Sequence, residues 1–322
     1  LGYSQSQGVF GQVQLQDTNL FGRAWNIGWN VTYGQYGGLS NLTFTDPWIY
    51  GDSHRTGFRG SLFLSQQVPQ IFQSEDNGNI RSLDEFADNG SPNAYEVGGT
   101  YLDISQDPVP DNVKLADDDF PNTSFFDYGG DSIALRKIGG NFSFTRPLNG
   151  GDPFKDAPWR LLTGMSFERV RPINFSGSTR PYGVATNKIK NGIVNRKDIV
   201  CISYNCADTN YLTSFRFAAT RNSYNDPTNP TSGSFFTAST QQFIGINEDS
   251  PTFNKLRASY TQFLPVDWLK LHKGCRPKPG EAADCPQAIG VQVKAGVAIG
   301  DMPPYEAFCL GGSNSIRGWY DC

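Results

Sequence analysis

The sequence predicts an all-β protein, and within that class a transmembrane antiparallel β-barrel. Three observations support this prediction. Apolar and polar residues alternate over long stretches, the predicted strands are longer than those of soluble sheets, and the connections are alternately short and long. Composition agrees, because only 38% of the residues are hydrophobic while 13% are aromatic. Disordered chains are depleted in aromatic residues, so disorder does not explain this composition.

The alternation has a period of two residues and recurs along the whole chain. In the segment 25–34, apolar and aromatic residues occupy every second position from Trp25, and Asn, Gly and Thr occupy the others. The segment 288–300 has Ile, Val and Ala at odd positions and Gly, Gln, Lys and Ala at even ones. Such segments form strands with one apolar and one polar face. We predict eleven strands, at 1–5, 8–18, 23–34, 38–48, 56–67, 131–146, 158–171, 210–222, 233–245, 253–264 and 288–300.

Strand length and connection length separate a membrane barrel from a soluble sheet. Several predicted strands have 10–14 residues, whereas a soluble strand has about 5–6 and a tilted membrane strand needs about 9–11. The connections 18–22, 50–55 and 225–233 are short, while 68–130 and 172–209 are long and polar. Short turns on one side and long loops on the other are typical of outer-membrane barrels. A soluble β-sandwich is the alternative, and it predicts shorter strands.

Charged residues in the predicted strands tend to fall on the polar face. A charge that faces lipid at the middle of the bilayer costs about 2–4 kcal/mol. We therefore expect these charges to line a water-filled lumen, although one wet face of a soluble sheet would also accept them. The predicted lumen-facing charges are Arg59, Glu168, Arg216, Arg257 and Lys294.

The six cysteines form three close pairs in the sequence, which favours disulfides and an oxidising compartment. A zinc site is the alternative, but the chain has no C-x-x-C motif and only two histidines. We expect no metal, no cofactor and no enzymatic activity, because no catalytic constellation is recognisable. The net charge of −4 does not favour nucleic acid. The disulfide candidates are Cys201 with Cys206, Cys275 with Cys285, and Cys309 with Cys322.

One segment near the end of the chain has an unusual composition. Residues 303–319 read PPYEAFCLGGSNSIRGW, in which the glycines permit tight turns around a single arginine, Arg317. The residues alone allow two interpretations. The arginine is solvated on a surface loop, or it is buried and needs a carboxylate or carbonyl partner.

This segment resembles the conserved loop of the BamA-type outer-membrane protein assembly and translocation superfamily. That superfamily includes the chloroplast outer-envelope import channel and the two-partner secretion transporters. The motif residues that match it are Gly311, Gly312, Ser313, Ile316, Arg317, Gly318 and Trp319. Two shorter stretches, 45–48 and 230–233, resemble the family pattern in the same order. Ile316 and Trp319 replace the commoner valine and phenylalanine or tyrosine, and they keep the apolar and aromatic character.

The resemblance implies a specific architecture. The loop is the sixth external one, it folds back into the lumen, and its arginine contacts an acidic residue of a later strand. The family has sixteen strands and periplasmic POTRA modules before the barrel, so residues 1–322 correspond to a partial barrel. Leu1, Gly2, Tyr3 and Ser4 correspond to the first strand, which forms one side of a lateral seam.

The resemblance also implies a function and a location. The expected function is insertion or translocation of client proteins, with outer-membrane lipid, unfolded β-barrel clients or precursors, and accessory subunits on the POTRA side as partners. The long insertion at 68–130 favours the cyanobacterial and chloroplast outer-envelope branch. A two-partner secretion transporter and a passive pore are the alternatives, and the passive pore does not predict the loop motif.

Overall fold

The fold is a single antiparallel sheet of eleven strands with smaller strands in its connections. The computed structural model describes residues 2–4, 8–34, 37–72, 80–82, 94–97, 100–103, 112–114, 133–152, 154–174, 177–185, 193–195, 199–226, 228–266, 268–269, 275 and 287–309. The strands of this sheet are β1 (Gly2–Ser4), β2 (Gly8–Leu20), β3 (Trp25–Gly34), β4 (Gly37–Asp46), β5 (Gly57–Gln67), β10 (Ala134–Pro147), β11 (Trp159–Ile173), β15 (Asn210–Asn222), β16 (Gly233–Ile244), β17 (Phe253–Pro265) and β18 (Ala288–Gly300). They lie side by side in this order, and every neighbouring pair is antiparallel.

The prediction of eleven strands in an all-β fold is confirmed, and the boundaries differ by a few residues. β4 ends at Asp46 rather than at 48, because Pro47 has no N–H to donate to a neighbouring strand. The Asp46 carboxylate then accepts the N–H of Trp48 at 3.1 Å, which closes the following turn. β2 continues to Leu20, beyond the predicted end at 18, with a register irregularity between Asp17 and Leu20. Residues 1 and 5 of the first predicted strand, and residues 131 and 132 of the sixth, lie outside the described residues.

The two long connections contain short strands that the alternation did not predict. Segments of three or four residues are too short to display a period of two. β12 (Tyr182–Ala185) pairs with β14 (Ile199–Cys201) on one side and with β6 (Ile80–Ser82) on the other. β13 (Ile193–Asn195) pairs with β9 (Asn112–Lys114). The connection before β10 is therefore hydrogen-bonded to the connection after β11. The short strands are β6 (Ile80–Ser82), β7 (Ala94–Val97), β8 (Thr100–Asp103), β9 (Asn112–Lys114), β12 (Tyr182–Ala185), β13 (Ile193–Asn195) and β14 (Ile199–Cys201).

The register gives the sheet two chemically different faces. Gln14 pairs with Asn30, and Asn30 pairs with Asn41, so amide side chains from β2, β3 and β4 lie on one face. On the opposite face Leu15 pairs with Trp29 and Trp29 with Leu42, and all three are exposed. Side chains directly opposite one another point to the same face, so the separation continues from strand to strand. We call these the polar face and the apolar face.

The loop-side end of the polar face carries a buried hydrophobic cluster. Leu135, Val170, Leu212, Phe243 and Phe253 lie on five different strands of the sheet, and all are nearly inaccessible to solvent. Loop residues pack against them, namely Phe72, Ile133, Ile202 and Tyr305. This end of the polar face is therefore covered by the chain itself, whereas the expectation from sequence was a wet surface.

Within the described residues, no helix has the length and the apolar character that crossing a membrane would require.

Substitutions at two adjacent glycines can test how closely two neighbouring short turns pack. Both have positive φ, +72° at Gly150 and +82° at Gly151, so alanine costs about 1 kcal/mol of backbone strain at either position. A Cβ at Gly151 would also overlap the Ser53 carbonyl of the neighbouring turn, whereas a Cβ at Gly150 meets open space. Gly151→Ala should lower the free energy of unfolding in detergent by at least about 1 kcal/mol more than Gly150→Ala. Equal losses in denaturant titrations would contradict the close approach of the two turns.

Candidate functional site

The chain turns back over the polar face directly after β18. Gly300 has φ +104°, and a Cβ there would crowd the carbonyl of Thr252 and the backbone of Phe253, so glycine is required at this turn. The N–H of Asp301 then donates to the Thr252 carbonyl at 3.2 Å. A short 3-10 turn follows at Pro304–Glu306. We call residues 301–309 the docked segment.

Glu306 is the polar centre of the docked segment. Its carboxylate accepts hydrogen bonds from the Lys137 ammonium of β10 and the Lys255 ammonium of β17, each at 3.0 Å. The Lys255 ammonium also donates to the Glu306 backbone carbonyl at 2.6 Å. The Lys255 side chain is 3% exposed and the Glu306 side chain 18%. A buried ammonium is costly without a counterion, so Lys255 and Glu306 depend on each other.

The two lysines determine the charge state of Glu306. Burial raises the pKa of the Glu306 carboxyl, but the nearby Lys137 and Lys255 ammoniums lower it by more, and the pKa lies below its ordinary value of 4.5. The neighbouring Tyr305 shows the opposite effect, because burial and the Glu306 and Glu168 charges raise the pKa of its phenol. At neutral pH the docked segment therefore carries a carboxylate beside a neutral phenol.

Tyr305 connects the docked segment to two external loops through Asn210. The Tyr305 hydroxyl donates to Asn210 Oδ1 at 3.0 Å. The same oxygen accepts the Tyr204 N–H at 2.8 Å, and Asn210 Nδ2 donates to the carbonyls of Tyr204 and Asp249 at 3.1 and 3.0 Å. Asn210 is completely buried, and its amide thus joins three segments of the chain. Because Cys201 and Cys206 form a disulfide, the loop that contains Tyr204 is covalently closed.

Phe308 extends the contact along β17 and onto β18. Its ring centroid lies 5.2 Å from the Lys255 ammonium and 5.3 Å from the Arg257 guanidinium, both within cation–π range. A Cβ at Gly296 of β18 would lie only 3.0 Å from the Phe308 ring. Gly296 therefore leaves the space that the ring occupies. The docked segment is held by an ion pair, an amide network and an aromatic contact.

The register places all five predicted lumen charges on the polar face. Arg59 lies opposite Ser143, Arg216 opposite Gly164, and Lys294 opposite Ser259. By the same register, Glu168 and Arg257 point to the same face of the sheet. Of these, Arg257 contacts Phe308, and Glu168 acts electrostatically on Tyr305. That they face a water-filled lumen is still a prediction.

Several predicted site residues lie outside the described residues, and their roles stay predictions. They include Leu1, the cysteines Cys285 and Cys322, and the motif residues Gly311, Gly312, Ser313, Ile316, Arg317, Gly318 and Trp319. Gly2, Tyr3 and Ser4 form β1 and pair with β2 over those three residues. Cys275 and Cys309 are disulfide-bonded, so the proposed pairings with Cys285 and Cys322 stay open.

The residues that hold the docked segment were not predicted from the sequence. Lys137 and Lys255 occupy the polar positions of their strands, as the five named charges do, and could have been found by the same rule. Glu306 is the only acidic residue of the quoted 303–319 stretch, which was a sign of a specific role. The involvement of Asn210 had no sequence pattern to predict it, because it depends on the meeting of three loops.

Comparison with known proteins agrees with this geometry. The Omp85 superfamily domain matches residues 19–321, which is nearly the whole chain. The crystal structure of BamA from Haemophilus ducreyi lacking POTRA domains 1–3 superposes with a TM-score of 0.53 at 12% identity, covering 99% of this chain and 44% of that one. At this identity the likeness concerns the fold alone.

Sequence relatives come from chloroplasts. Protein TOC75-4, chloroplastic, of Arabidopsis thaliana is 34% identical over 80 residues, which are 24% of this chain and 18% of the relative. Protein TOC75, chloroplastic, of Pisum sativum is 31% identical over 78 residues, again 24% of this chain and 9% of the relative. The matched stretch is thus a small part of each relative's length.

A large antiparallel sheet of long strands, with one apolar face and one polar face, is the arrangement of an outer-membrane β-barrel protein. This chain belongs to the Omp85 superfamily. The predicted BamA-type family and the outer-membrane location are confirmed, and the similarity to the TOC75 proteins supports the chloroplast branch.

Neutralising Glu306 should release the docked segment. Glu306→Gln leaves the Lys255 ammonium buried without a counterion, and this costs up to about 3 kcal/mol. We expect faster hydrogen–deuterium exchange of the 301–309 amides, by roughly a hundredfold for a loss of about 3 kcal/mol. The matched control is Glu248→Gln, an exposed carboxylate in the turn between β16 and β17. Unchanged exchange in Glu306→Gln would show that the ion pair does not hold the segment.

The same contact should depend on pH in a defined direction. Because folding lowers the pKa of Glu306, its contribution is complete above the ordinary value of 4.5 and is lost as the pH falls through the lower folded value. A nitroxide on Ala307→Cys should have constant mobility from neutral pH to about 4.5 and become mobile below it. In Glu306→Gln the label should be mobile throughout. A transition well above pH 4.5 would refute this assignment.

Proposed function

We propose that this chain forms the membrane channel of a protein insertase or translocase, which folds client β-barrel proteins or passes precursor proteins. The observation that carries this proposal is the docked segment. It continues directly into the Gly-Gly-Ser-Asn-Ser-Ile-Arg-Gly-Trp stretch and is anchored on the polar face by Glu306. A passive pore needs no loop that is anchored in this way. The anchoring therefore favours a channel in which the loop takes part in insertion or translocation.

The proposed mechanism uses a lateral seam at β1. Among the described residues, β1 pairs with β2 over Gly2–Ser4 and lies at one edge of the eleven-stranded sheet. An exposed strand edge is a template for another strand, so an incoming client segment would add to it by β-augmentation. The proposed seam consists of Leu1, Gly2, Tyr3 and Ser4.

The loop would keep the interior in a working conformation. In this proposal Glu306 fixes the root of the loop against β10 and β17, and Arg317 braces its tip against an acidic partner. Two charged contacts on different strands would transmit a change in strand spacing to the loop. Unfolded β-barrel clients or precursors are the proposed partners, with accessory subunits on the POTRA side. The proposed activity needs no cofactor.

Insertion of an unfolded barrel client into liposomes tests the proposal. The full-length parent protein should accelerate insertion, and Arg317→Ala at equal abundance should lower the rate at least tenfold, corresponding to about 1.4 kcal/mol. Glu306→Gln should lower the rate in the same direction, and Glu248→Gln should not. No acceleration by a folded protein that conducts ions would favour a secretion transporter or a passive pore.

A further inference from the structure

The turn-side end of the sheet carries three arginines that lie over tryptophan rings. The Arg23 guanidinium lies 5.0 Å from the Trp25 ring centroid, at the turn between β2 and β3. Arg55 lies 5.2 Å from the Trp48 ring, between β4 and β5. Arg221 lies 6.0 Å from the Trp159 ring, where β11 and β15 pair. We call these six residues the turn-side rim.

Two of the three rim tryptophans, Trp25 and Trp159, belong to the apolar face of the sheet. Trp25 alternates in phase with Ile27 and Trp29, and Trp159 alternates in phase with Leu161, on the face that meets lipid. Aromatic rings continue the rim, with Trp25 5.7 Å from Phe44 and Trp159 6.3 Å from Phe236. Tryptophan prefers the membrane–water interface, where one part of the indole is apolar and its N–H remains wet. The rim therefore lies at headgroup level.

The turn tips beyond the rim are also aromatic. Phe21 is 82% exposed, Tyr50 fully exposed and Phe154 96% exposed, one in each of three successive short turns. Exposed aromatic side chains at these tips would cost hydrophobic free energy in bulk water. Contact with interfacial lipid removes that cost, so the tips and the rim are consistent with one lipid leaflet.

The rim arginines are not paired with any carboxylate of the described residues. Among the described residues, no carboxylate lies within salt-bridge distance of Arg23, Arg55 or Arg221. The nearby carboxylates are already engaged. Asp46 accepts the Trp48 N–H at 3.1 Å, and Asp52 accepts the Thr56 N–H at 2.6 Å and lies 3.4 Å from the Arg146 guanidinium. The three guanidinium groups thus keep their charge and their N–H donors for another ligand.

We propose that the turn-side rim binds the phosphate groups of anionic lipids, with Arg23, Arg55 and Arg221 as the phosphate ligands. A guanidinium over an indole ring keeps its N–H donors available, and its planar fork matches two phosphate oxygens. The position on the lipid-facing side of the barrel favours a lipid phosphate over a protein partner. This site is separate from the docked segment and does not depend on the proposed insertase activity.

Lipid retention by the full-length protein tests the site. The protein is placed in nanodiscs of phosphatidylcholine with added phosphatidylglycerol, and the lipids that stay bound after detergent extraction are counted by mass spectrometry. The triple variant R23Q/R55Q/R221Q should lose the preference for phosphatidylglycerol by at least about fivefold, since each arginine near an anionic surface contributes roughly that factor. The control R59Q/R160Q/R216Q removes the same charge from the polar face and should keep the preference.

Each other outcome of this experiment counts against the proposal. Equal retention by the rim variant and the wild type would overturn the site, and equal losses in both triple variants would reduce it to net charge. Displacement of the lipid by inorganic phosphate alone would assign the arginines to a free anion instead. Loss of binding to an accessory protein with lipid retention unchanged would make the rim a protein interface. A heat-dependent shift on unheated gels shows that each variant is folded.

Discussion

A single carboxylate connects two distant parts of the sheet. Glu306 bonds to Lys137 of β10 and Lys255 of β17, which are separated by three intervening strands. Four interstrand steps correspond to about 19 Å along the sheet. Because Lys255 is almost completely buried, the sheet in this arrangement requires the docked segment as much as the segment requires the sheet. Two further contacts of the same segment accompany it, namely Phe308 in the space beside Gly296 and Tyr305 in the network around Asn210.

The surrounding sheet makes such a contact possible because its two faces carry different side chains. Strands in a bilayer must pair all their backbone groups and turn apolar side chains outward. Lys137 and Lys255 lie on the polar face, and the loop segment supplies their counterion there. The turn-side end of the sheet carries further arginines beside tryptophans, where the proposed lipid contact lies. The alternation of side chains therefore keeps the Glu306 contact on the polar face apart from the proposed lipid contact at the turn-side rim.

The sequence predicted the strands well and the anchor poorly, for a physical reason. Strand order and register depend on local alternation, and so the eleven strands fell within a few residues of their predicted positions. The end of β2 differs from the prediction at the register irregularity between Asp17 and Leu20. The end of β4 differs because Pro47 has no N–H to donate. The pairing of Glu306 with two lysines depends on side chains that are 169 and 51 residues apart, and no local pattern encodes it. The family motif includes Arg317 and does not include the residues that hold the root of its loop.

A double-mutant cycle between Glu306 and Lys255 tests the anchor most directly. Glu306→Gln, Lys255→Met and the double variant are compared by hydrogen exchange of the docked segment, with Lys294→Met in place of Lys255→Met as the control. Contacting residues couple by about 0.5–3 kcal/mol. The anchor predicts that the double variant loses at least about 1.5 kcal/mol less protection than the sum of the single losses, and that the Lys294 cycle is additive. Additivity in the Lys255 cycle would contradict it.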